Sequence, residues 1–504
     1  MSALDFLDRR GQWLALPAGA ALALSFAPLS FAPLALLCPA FLFLLWENAA
    51  PRAAAWRGFL FSGGTFLAGT YWLYNSIHLV GQAPLWIALF LMLGLVAIMG
   101  SYTAALGYAV ARWGARTGPL RWMVLLPAGW VLVEWFRGWF LSGFPWLALG
   151  YSQLGTPLKA YAPVAGVYGT SLATALLAGA VVTLMLGRRA ARFAALAVVV
   201  AVYVAAGLLG RVEWTQPRGT EVSVALVQGA VPQSMKWVPG QREQTLELYA
   251  RLTGPHLGAD IVVWPEAALP ALESDIRGYL ETVRAAARAS GTDLVMGLLR
   301  RDPQTGAHHN AMVAFGPDEQ WYYKRRLVPF GEFFPVPAAV REWLRLMNLP
   351  YSDFVPGPDD PRPLAVGGET LAPTICYEDA YASEQLALAA GSTLLVNVTN
   401  DAWFGDSTAP HQHLDISRMR SLETGRPMLR ATNDGVTALI AHDGRVIDAL
   451  PQFQPGVLTG VVAPRTGLTP YTRTGNLAVL AIVFLGLALG FGAPRLRGAR
   501  VVRE

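Results

Sequence analysis

The chain has 504 residues, of which 54% are hydrophobic and only 14% charged, with a formal net charge of +5. An ordinary soluble protein carries about 25% charged residues, so this composition argues against a purely soluble protein and for a membrane protein. Two cysteines far apart give no disulfide framework, and the arginines cluster beside apolar segments rather than in the basic stripe of a nucleic-acid-binding protein.

Long segments without any Asp, Glu, Lys or Arg mark the candidate membrane spans. They cover residues 11–46, 58–111, 160–187 and 474–494. Because one span needs about 20 apolar residues, each of the first two segments is long enough for two helices. We therefore predict a multi-pass α-helical membrane domain of about eight helices, near residues 13–29, 30–46, 58–79, 84–111, 120–136, 161–186, 193–210 and 475–494.

The arginines that flank these helices predict the orientation of the chain. Positive residues of short loops favour the cytoplasmic side. Alternate connections and both termini carry them, at Arg9, Arg10, Arg52, Arg57, Arg112, Arg116, Arg121, Arg188, Arg189, Arg192, Arg495, Arg497, Arg500 and Arg503. Both termini are therefore predicted to be cytoplasmic, and the long region after the seventh helix is predicted to lie outside the cytoplasm.

Residues 212–470 hold most of the acidic residues and alternate short strands with helices. Apolar β-branched runs predict strands at 221–228, 260–264, 293–300, 372–376 and 393–399, and later ones within 427–434, 436–443 and 456–462. Helical stretches lie at 241–252, 276–290 and 382–391. This alternation predicts an α/β layered domain. The predicted organisation is transmembrane helices one to seven in 1–211, a soluble domain in 212–470, and the eighth helix with a cytoplasmic tail in 471–504.

Three reactive side chains follow predicted strands of this domain. Glu266 comes after DIVVW, Lys324 lies in WYYKRRLVPFGE eight residues before Glu332, and Cys376 ends APTIC. Active groups of α/β proteins collect at the carboxyl ends of strands, so we expect the three to converge. Acids directly after Cys376 would make it a poorer nucleophile. A lysine and a glutamate brought from distant strands would activate it.

The order WPE, then K followed by LVPFGE, then CYE resembles the nitrilase superfamily, whose Glu-Lys-Cys triad lies on an α-β-β-α sandwich. Together with the preceding helices, the stretches GFPWLALGYSQ (143–153), VALVQGAVPQSMKW (224–237) and NDAWFG (400–405) resemble its membrane-bound branch, the apolipoprotein N-acyltransferases of Gram-negative bacteria. The resemblance covers essentially the whole chain. It implies a catalytic domain in the periplasm, held at the inner membrane.

The resemblance also implies roles for individual residues. Glu266 would be the general base, Lys324 the oxyanion stabiliser and Cys376 the nucleophile. Supporting residues would be Trp237, Glu332, Tyr377 and Glu378. The family moves an acyl chain from the sn-1 position of a phospholipid resembling phosphatidylethanolamine to the α-amino group of a diacylglyceryl-cysteine at the start of an apolipoprotein, through a thioester. No metal, cofactor or nucleic acid is expected, and the predicted state is a monomer in the lipid bilayer.

Other interpretations remain open at this point. A membrane-tethered amidase or nitrilase would use the same triad and resolve the thioester with water. A lipid or lipoprotein transporter would need polar sites in broken helices but no intact triad. His411 and His413 suggest a Cys–His nucleophile pair or a zinc site, although a third ligand at metal spacing is missing. Glu134 and Arg137, one helical turn apart, either pair with each other or meet a lipid headgroup.

Overall fold

The computed structural model describes residues 3–236, 238, 240–333 and 354–501, and the chain divides into two compact units. The first unit comprises Met1–Tyr71, Trp86–Val212 and Thr474–Glu504, and the second comprises Trp72–Leu85 and Glu213–Arg473. The short segment Trp72–Leu85 thus groups with the unit that contains the triad. The domain boundaries placed at 211/212 and 470/471 stay predictions.

The first unit is helical. Its main helices are Ala3–Ala23, Pro33–Leu45, Pro51–Gly69, Leu85–Trp113, Leu126–Arg137, Ala162–Leu186, Arg189–Leu209 and Leu477–Val501. Three helical stretches, Leu85–Trp113, Pro157–Leu186 and Arg189–Leu209, are long and apolar enough to cross a membrane by length and composition. These are the apolar helices of a membrane protein, whereas the number of about eight spans stays a prediction.

Several helix boundaries differ from the predicted ones. The first helix, predicted near 13–29, occupies Ala3–Ala23, and the third, predicted near 58–79, occupies Pro51–Gly69. The prediction followed the absence of charge, but a helix continues through charged flanks because its hydrogen bonds are made by the backbone. Pro51 suits the first turn of a helix, where no N–H is required. Near 120–136 the chain forms a π-helical turn, Leu120–Leu125, before the α-helix begins.

Glu134 and Arg137 both bind the backbone of the segment after their helix. Arg137 donates from Nη1 to the carbonyl oxygen of Phe144 at 2.9 Å and to that of Trp146. Glu134 Oε1 accepts from the backbone N–H of Leu149 at 2.9 Å. These hydrogen bonds tie the helix to the chain between residues 138 and 150, a structural role that the sequence alternatives did not include.

The second unit contains two six-stranded sheets and one two-stranded ribbon. Its strands are β1 Gln216–Pro217, β2 Val222–Gln228, β3 Ile261–Trp264, β4 Asp293–Arg301, β5 His308–Phe315, β6 Glu319–Tyr323, β7 Leu364–Val366, β8 Glu369–Ile375, β9 Leu394–Thr399, β10 Met428–Thr432, β11 Ala438–Ile440, β12 Val446–Ala449, β13 Gly456–Val462 and β14 Arg465–Thr466. One sheet has the order β13-β2-β3-β4-β5-β6 and the other β12-β11-β10-β9-β8-β7. The central strands β2–β4 and β8–β10 are parallel, so their carboxyl ends share an edge in each sheet.

The two sheets pack face to face with helices outside. Alternate residues of β2 show the layers: Val224 and Leu226 belong to a core shared with Ile375 and Val396 of the other sheet. Ala225 and Val227 belong to a second core beneath the helices Gln241–Thr253 and Arg277–Ala289. Helices Ala382–Ala390 and Ala409–Thr424 contact β8 and β10 on the opposite side. This arrangement is the predicted α-β-β-α sandwich.

The predicted strands and helices of this unit are confirmed to within a few residues, but six of the described strands were missed. They are the two-residue strands β1 and β14, and β5, β6, β7 and β12. The run HHNAMVAF of β5 opens with three polar residues, and β7 and β12 have only three and four residues. Such strands carry too little apolar alternation to be recognised in isolation. Tertiary pairing at the sheet edges stabilises them instead.

Candidate active site

Three strand ends bring the predicted triad together in the second unit. Glu266 follows β3, Lys324 follows β6 and Cys376 follows β8. Lys324 Nζ lies 3.0 Å from Glu266 Oε1, and Cys376 is close enough for both charges to act on its thiol. The three residues are buried, with 6%, 1% and 7% of their surfaces exposed respectively. The site is therefore largely screened from bulk water. Electrostatic interactions between its charged groups are stronger there than they would be in water.

Lys324 sits in a closed ring of hydrogen bonds. Its Nζ donates to Glu266 Oε1 at 3.0 Å and to Glu332 Oε1 at 2.9 Å. Asn310 Nδ2 donates to the same two oxygens, at 2.7 and 2.9 Å. Two donors and two acceptors thus alternate around the ring, and each carboxylate fixes both the lysine and the amide. Glu332, predicted as a supporting residue, shares the lysine with Glu266.

The ring keeps Lys324 charged. Burial opposes its charge, but the carboxylates of Glu266 and Glu332 outweigh burial and raise the pKa of Lys324 well above its usual range. A lysine held as ammonium has three N–H donors and no lone pair. Lys324 is therefore able to stabilise a developing oxyanion and is unable to act as a base.

The backbone of Cys376 adopts a conformation that side chains rarely take. Its φ is +54°, which places a non-glycine residue in the left-handed region at the sharp turn between β8 and a 3₁₀ turn. Its carbonyl oxygen accepts from Asn397 Nδ2 at 3.2 Å and contacts His413 Nε2 at 3.3 Å. Strain of this kind persists where surrounding contacts enforce it, and it clusters at active sites.

The thiol of Cys376 is protonated in the resting site. Burial and the charge on Glu266 raise its pKa well above the usual range, while Lys324 and a hydrogen bond from Thr399 lower it. The lysine alone therefore does not produce a thiolate. Because the thiolate is the nucleophilic form of a cysteine, a nucleophilic role for Cys376 would require a base to take its proton.

Glu378 links the backbone near Lys324 to the backbone near Cys376. Its Oε1 accepts from the N–H of Arg325 at 2.7 Å and of Arg326 at 3.2 Å. Its Oε2 accepts from the N–H of Ile375 at 2.7 Å and from the Tyr322 hydroxyl at 2.9 Å. Burial raises the pKa of Glu378 to about 7 against these hydrogen bonds. Glu378 touches backbone on both sides of the triad and acts by positioning it.

Of the two remaining predicted supporting residues, Tyr377 and Trp237, the structure describes Tyr377. The hydroxyl of Tyr377 hydrogen-bonds that of Tyr381, and the two rings meet edge to face with centroids 5.1 Å apart. Burial raises the pKa of Tyr377 to about 12, so its hydroxyl stays neutral. Trp237 lies outside the residues that the structure describes.

The two candidate histidines take separate partners. His411 Nε2 contacts the Gln452 side chain at 3.1 Å. His413 contacts Asp379 Oδ1 at 3.0 Å and Asp401 Oδ1 at 2.9 Å. Burial lowers its pKa, but these two carboxylates prevail and raise it to about 9. A protonated imidazole is a donor only, so His413 supports the turn behind Cys376 rather than serving as its base.

The sequence reasoning missed two residues that hold Glu266. Asn310 binds Glu266 Oε1 from β5, a strand that was not predicted. The backbone N–H of Asn400 donates to Glu266 Oε2 at 2.8 Å. Asn400 is the first residue of the stretch NDAWFG, which carried part of the family resemblance, but only the fold shows that its backbone N–H binds Glu266. Both carboxylate oxygens are thus fixed in direction.

Comparison with known proteins agrees with this arrangement. Residues 18–180 match the family model described as the apolipoprotein N-acyltransferase N-terminal domain, and residues 223–471 match that of carbon-nitrogen hydrolases. An apolipoprotein N-acyltransferase of Azotobacter vinelandii is 44% identical over 488 residues, which cover 95% of each chain. One of Methylococcus capsulatus is 40% identical over 471 residues, covering 93% of each. This chain belongs to the apolipoprotein N-acyltransferase family.

Two solved structures are similar to about half of this chain. A carbon-nitrogen hydrolase superfamily protein of Xanthomonas campestris is 17% identical, with a TM-score of 0.37, and the match covers 52% of this chain and 93% of that one. An amidase from Nesterenkonia is 21% identical, also with a TM-score of 0.37, covering 52% and 96%.

Proposed function

We propose that this chain transfers an acyl chain from the sn-1 position of a membrane phospholipid to the α-amino group of a diacylglyceryl-cysteine, and so N-acylates lipoproteins. The observation that carries the proposal is the ring around Lys324, which joins Glu266 to a lysine and lies beside a strained, buried Cys376. Membership of the apolipoprotein N-acyltransferase family over nearly the whole chain supports the substrate class.

In the first half-reaction Cys376 Sγ attacks the ester carbonyl carbon of the phospholipid. Glu266 takes the thiol proton as the C–S bond forms, and Lys324 donates hydrogen bonds to the oxyanion of the tetrahedral intermediate. When the C–O bond breaks, Glu266 returns the proton to the departing oxygen. The products are a lysophospholipid and a thioester on Cys376.

In the second half-reaction a neutral α-amine attacks the thioester carbonyl. Glu266, again unprotonated, accepts a proton from the amine nitrogen while Lys324 stabilises the second oxyanion. Collapse of the intermediate breaks the C–S bond, and the proton returns to the sulfur. The products are an amide and free Cys376, so the cycle closes without a cofactor. A ping-pong scheme of this kind accumulates acyl-enzyme when the acceptor is absent.

The cellular arrangement is part of the same proposal. The arginine pattern supports both termini in the cytoplasm and residues 212–470 in the periplasm of the inner membrane. Both substrates are anchored in lipid, which supports a membrane-bound enzyme, and the monomeric state stays a prediction. Reporter fusions within 187–192 are expected to be cytoplasmic and fusions near 215 periplasmic. A cytoplasmic signal from the fusion near 215 contradicts the location.

Transfer and hydrolysis are separated by the fate of the thioester. Enzyme acylated by labelled phospholipid should pass its label to a diacylglyceryl peptide with a free amino terminus. The same peptide with a blocked amine should leave the label on the enzyme. Continuous release of free fatty acid in the absence of either peptide would instead identify a membrane-tethered hydrolase.

A further inference from the structure

Lysine is rare in this chain, and two lysines are buried in the second unit. Of the 39 basic residues only Lys159, Lys236 and Lys324 are lysines, and all others are arginines. Lys236 and Lys324 are each 1% exposed. Lys324 serves the triad, which leaves Lys236 as a buried cation that the two half-reactions do not use.

Lys236 and Asp434 both present a buried polar atom without a partner. Within the part of the chain that the structure describes, Lys236 Nζ donates no hydrogen bond and Asp434 Oδ1 accepts none. Each residue influences the pKa of the other, yet they do not hydrogen-bond each other. A buried polar atom left unpaired costs about 1–3 kcal/mol, and more when charged. Such a pair is therefore expected to receive complementary groups from a ligand.

The position of Lys236 relative to the triad follows from Gln233. Both residues lie on the short helix Gln233–Lys236. Gln233 Oε1 accepts from Asn400 Nδ2 at 2.9 Å, and the backbone N–H of Asn400 donates to Glu266 Oε2 at 2.8 Å. Lys236 is thus connected to Glu266 through the oxygen that Lys324 does not bind. The charge on Glu266 acts on Lys236, whose pKa burial lowers to about 8.

Asp434, which follows β10, is connected to Asn400 through its neighbour Asn433. Asn433 Nδ2 donates to Asn400 Oδ1 at 3.1 Å, and Asn433 Oδ1 accepts from the N–H of Val231 at 3.2 Å. Asp434 is the next residue. Burial and the charge on Asp401 raise its pKa to about 7. Lys236 and Asp434 therefore each lie close along the chain to a member of one hydrogen-bonded network, Gln233–Asn400–Asn433, which ends on Glu266.

We propose that Lys236 and Asp434 form the subsite for the zwitterionic headgroup of the acyl donor. Phosphate oxygens would bind Lys236 Nζ, and the headgroup ammonium would bind Asp434 Oδ1. This rests on the proposed function, because only a phospholipid donor supplies both groups. The phosphate and the sn-1 ester share one glycerol and are a few bonds apart, so a phosphate beside Glu266 leaves the ester within reach of Cys376.

The test compares two acyl donors on the purified full chain in detergent. Phosphatidylethanolamine carries the headgroup, whereas p-nitrophenyl palmitate has neither phosphate nor amine, and both acylate the same sulfur. The rate of single-turnover acylation is measured for each, and their ratio is the readout. Lys236→Met should lower the phospholipid-to-ester ratio about 10- to 100-fold, the range for a hydrogen bond to a charged group. Lys236→Arg should restore much of it, and Lys159→Met is the matched control with an unchanged ratio.

Asp434 is tested by headgroup preference. Asp434→Asn should reduce the preference for phosphatidylethanolamine over phosphatidylglycerol, which has a phosphate and no amine. Equal slowing of both donors in Lys236→Met would overturn the subsite, because it indicates a role in the chemistry itself. Unchanged rates with both donors would overturn it too, with buried water as the partner of Lys236. If the wild-type protein is not acylated by either donor, the proposed function fails and not the subsite alone.

Discussion

Replacing Glu378 by glutamine should disturb the triad without touching any of its side chains. The carboxylate accepts four hydrogen bonds, two on each oxygen, from donors on both sides of the site. Glutamine has nearly the same shape, but its amide nitrogen is a donor and has no lone pair for an N–H. Glu378→Gln therefore loses two of the four bonds if the amide nitrogen faces the N–H groups of Arg325 and Arg326. If the nitrogen faces the other side, it loses the bond from the Ile375 N–H, while the Tyr322 hydroxyl can turn and accept from it.

The magnitude follows from the bonds that are lost. A hydrogen bond to a charged group contributes about 1.5–3 kcal/mol, so losing one or two of them costs about 1.5–6 kcal/mol. Because burial raises the pKa of Glu378 to about 7, its charge is only partly present at neutral pH, and the lower part of this range, about 1.5–3 kcal/mol, applies. For a unit of this size, that loss corresponds to a fall in Tm of about 3–12 °C. Displacement of Lys324 against Cys376 by about 1 Å would slow acylation about 100-fold.

The assay pairs thermal unfolding in detergent with single-turnover acylation of Cys376. The control is Glu384→Gln, the same change six residues on. Glu384 pairs with Arg326, and their side chains are 24% and 43% exposed. An exposed pair of this kind contributes at most about 1 kcal/mol, so the control should lose little stability and little activity. A Glu378→Gln protein with wild-type Tm and acylation within threefold of wild type would refute the positioning role.

Three further predictions follow from the same contacts. Lys324→Met should slow acylation about 10²–10³-fold, because it removes an oxyanion donor. It should also lower Tm, because Glu266 and Glu332 stay buried without their cation; normal turnover in this variant would contradict the oxyanion role. Asn310→Ala should slow acylation less than Lys324→Met, since it removes one member of the ring, and a larger loss would show that the amide rather than the lysine orders Glu266. The pKa of His413 is about 9 in the folded protein against an ordinary value of 6.5. Its protonation therefore stabilises the fold by about 3 kcal/mol, fully below pH 6.5 and less and less as the pH rises through 9. Unfolding measured from pH 6 to 10 should show this decline in stability, and His413→Gln should abolish it.

Glu266 and Cys376 could be placed from the sequence because they follow strands with strong local signals. β3, β8 and β9 are short, apolar and β-branched, and their ends were placed within about two residues. Convergence of Glu266 and Cys376 then follows from parallel strands in two facing sheets. Lys324 was identified by its motif, although the strand before it, β6, was not predicted.

The residues that complete the site could not be derived because tertiary pairing selects them. Asn310 faces the ring because β5 pairs antiparallel with β6, and the N–H of Lys324 donates to the carbonyl oxygen of Asn310 at 2.8 Å. That register exists only once both edge strands form. Lys236 has no sequence signal apart from its place in VALVQGAVPQSMKW, and its burial beside Asp434 depends on contacts between β10 and the segment after β2. Long-range pairing of this kind is invisible to local periodicity.

The most direct test of the account is the mass of the purified protein after incubation with phospholipid and no acceptor. The account predicts a gain of one acyl chain on the peptide that contains Cys376, removed by neutral hydroxylamine, with about one lysophospholipid released per active enzyme before the reaction stalls. Cys38→Ala should be acylated in the same way, and Cys376→Ala not at all. An unmodified Cys376 peptide alongside lysophospholipid release, or an acyl chain found on another residue, would contradict the thioester mechanism.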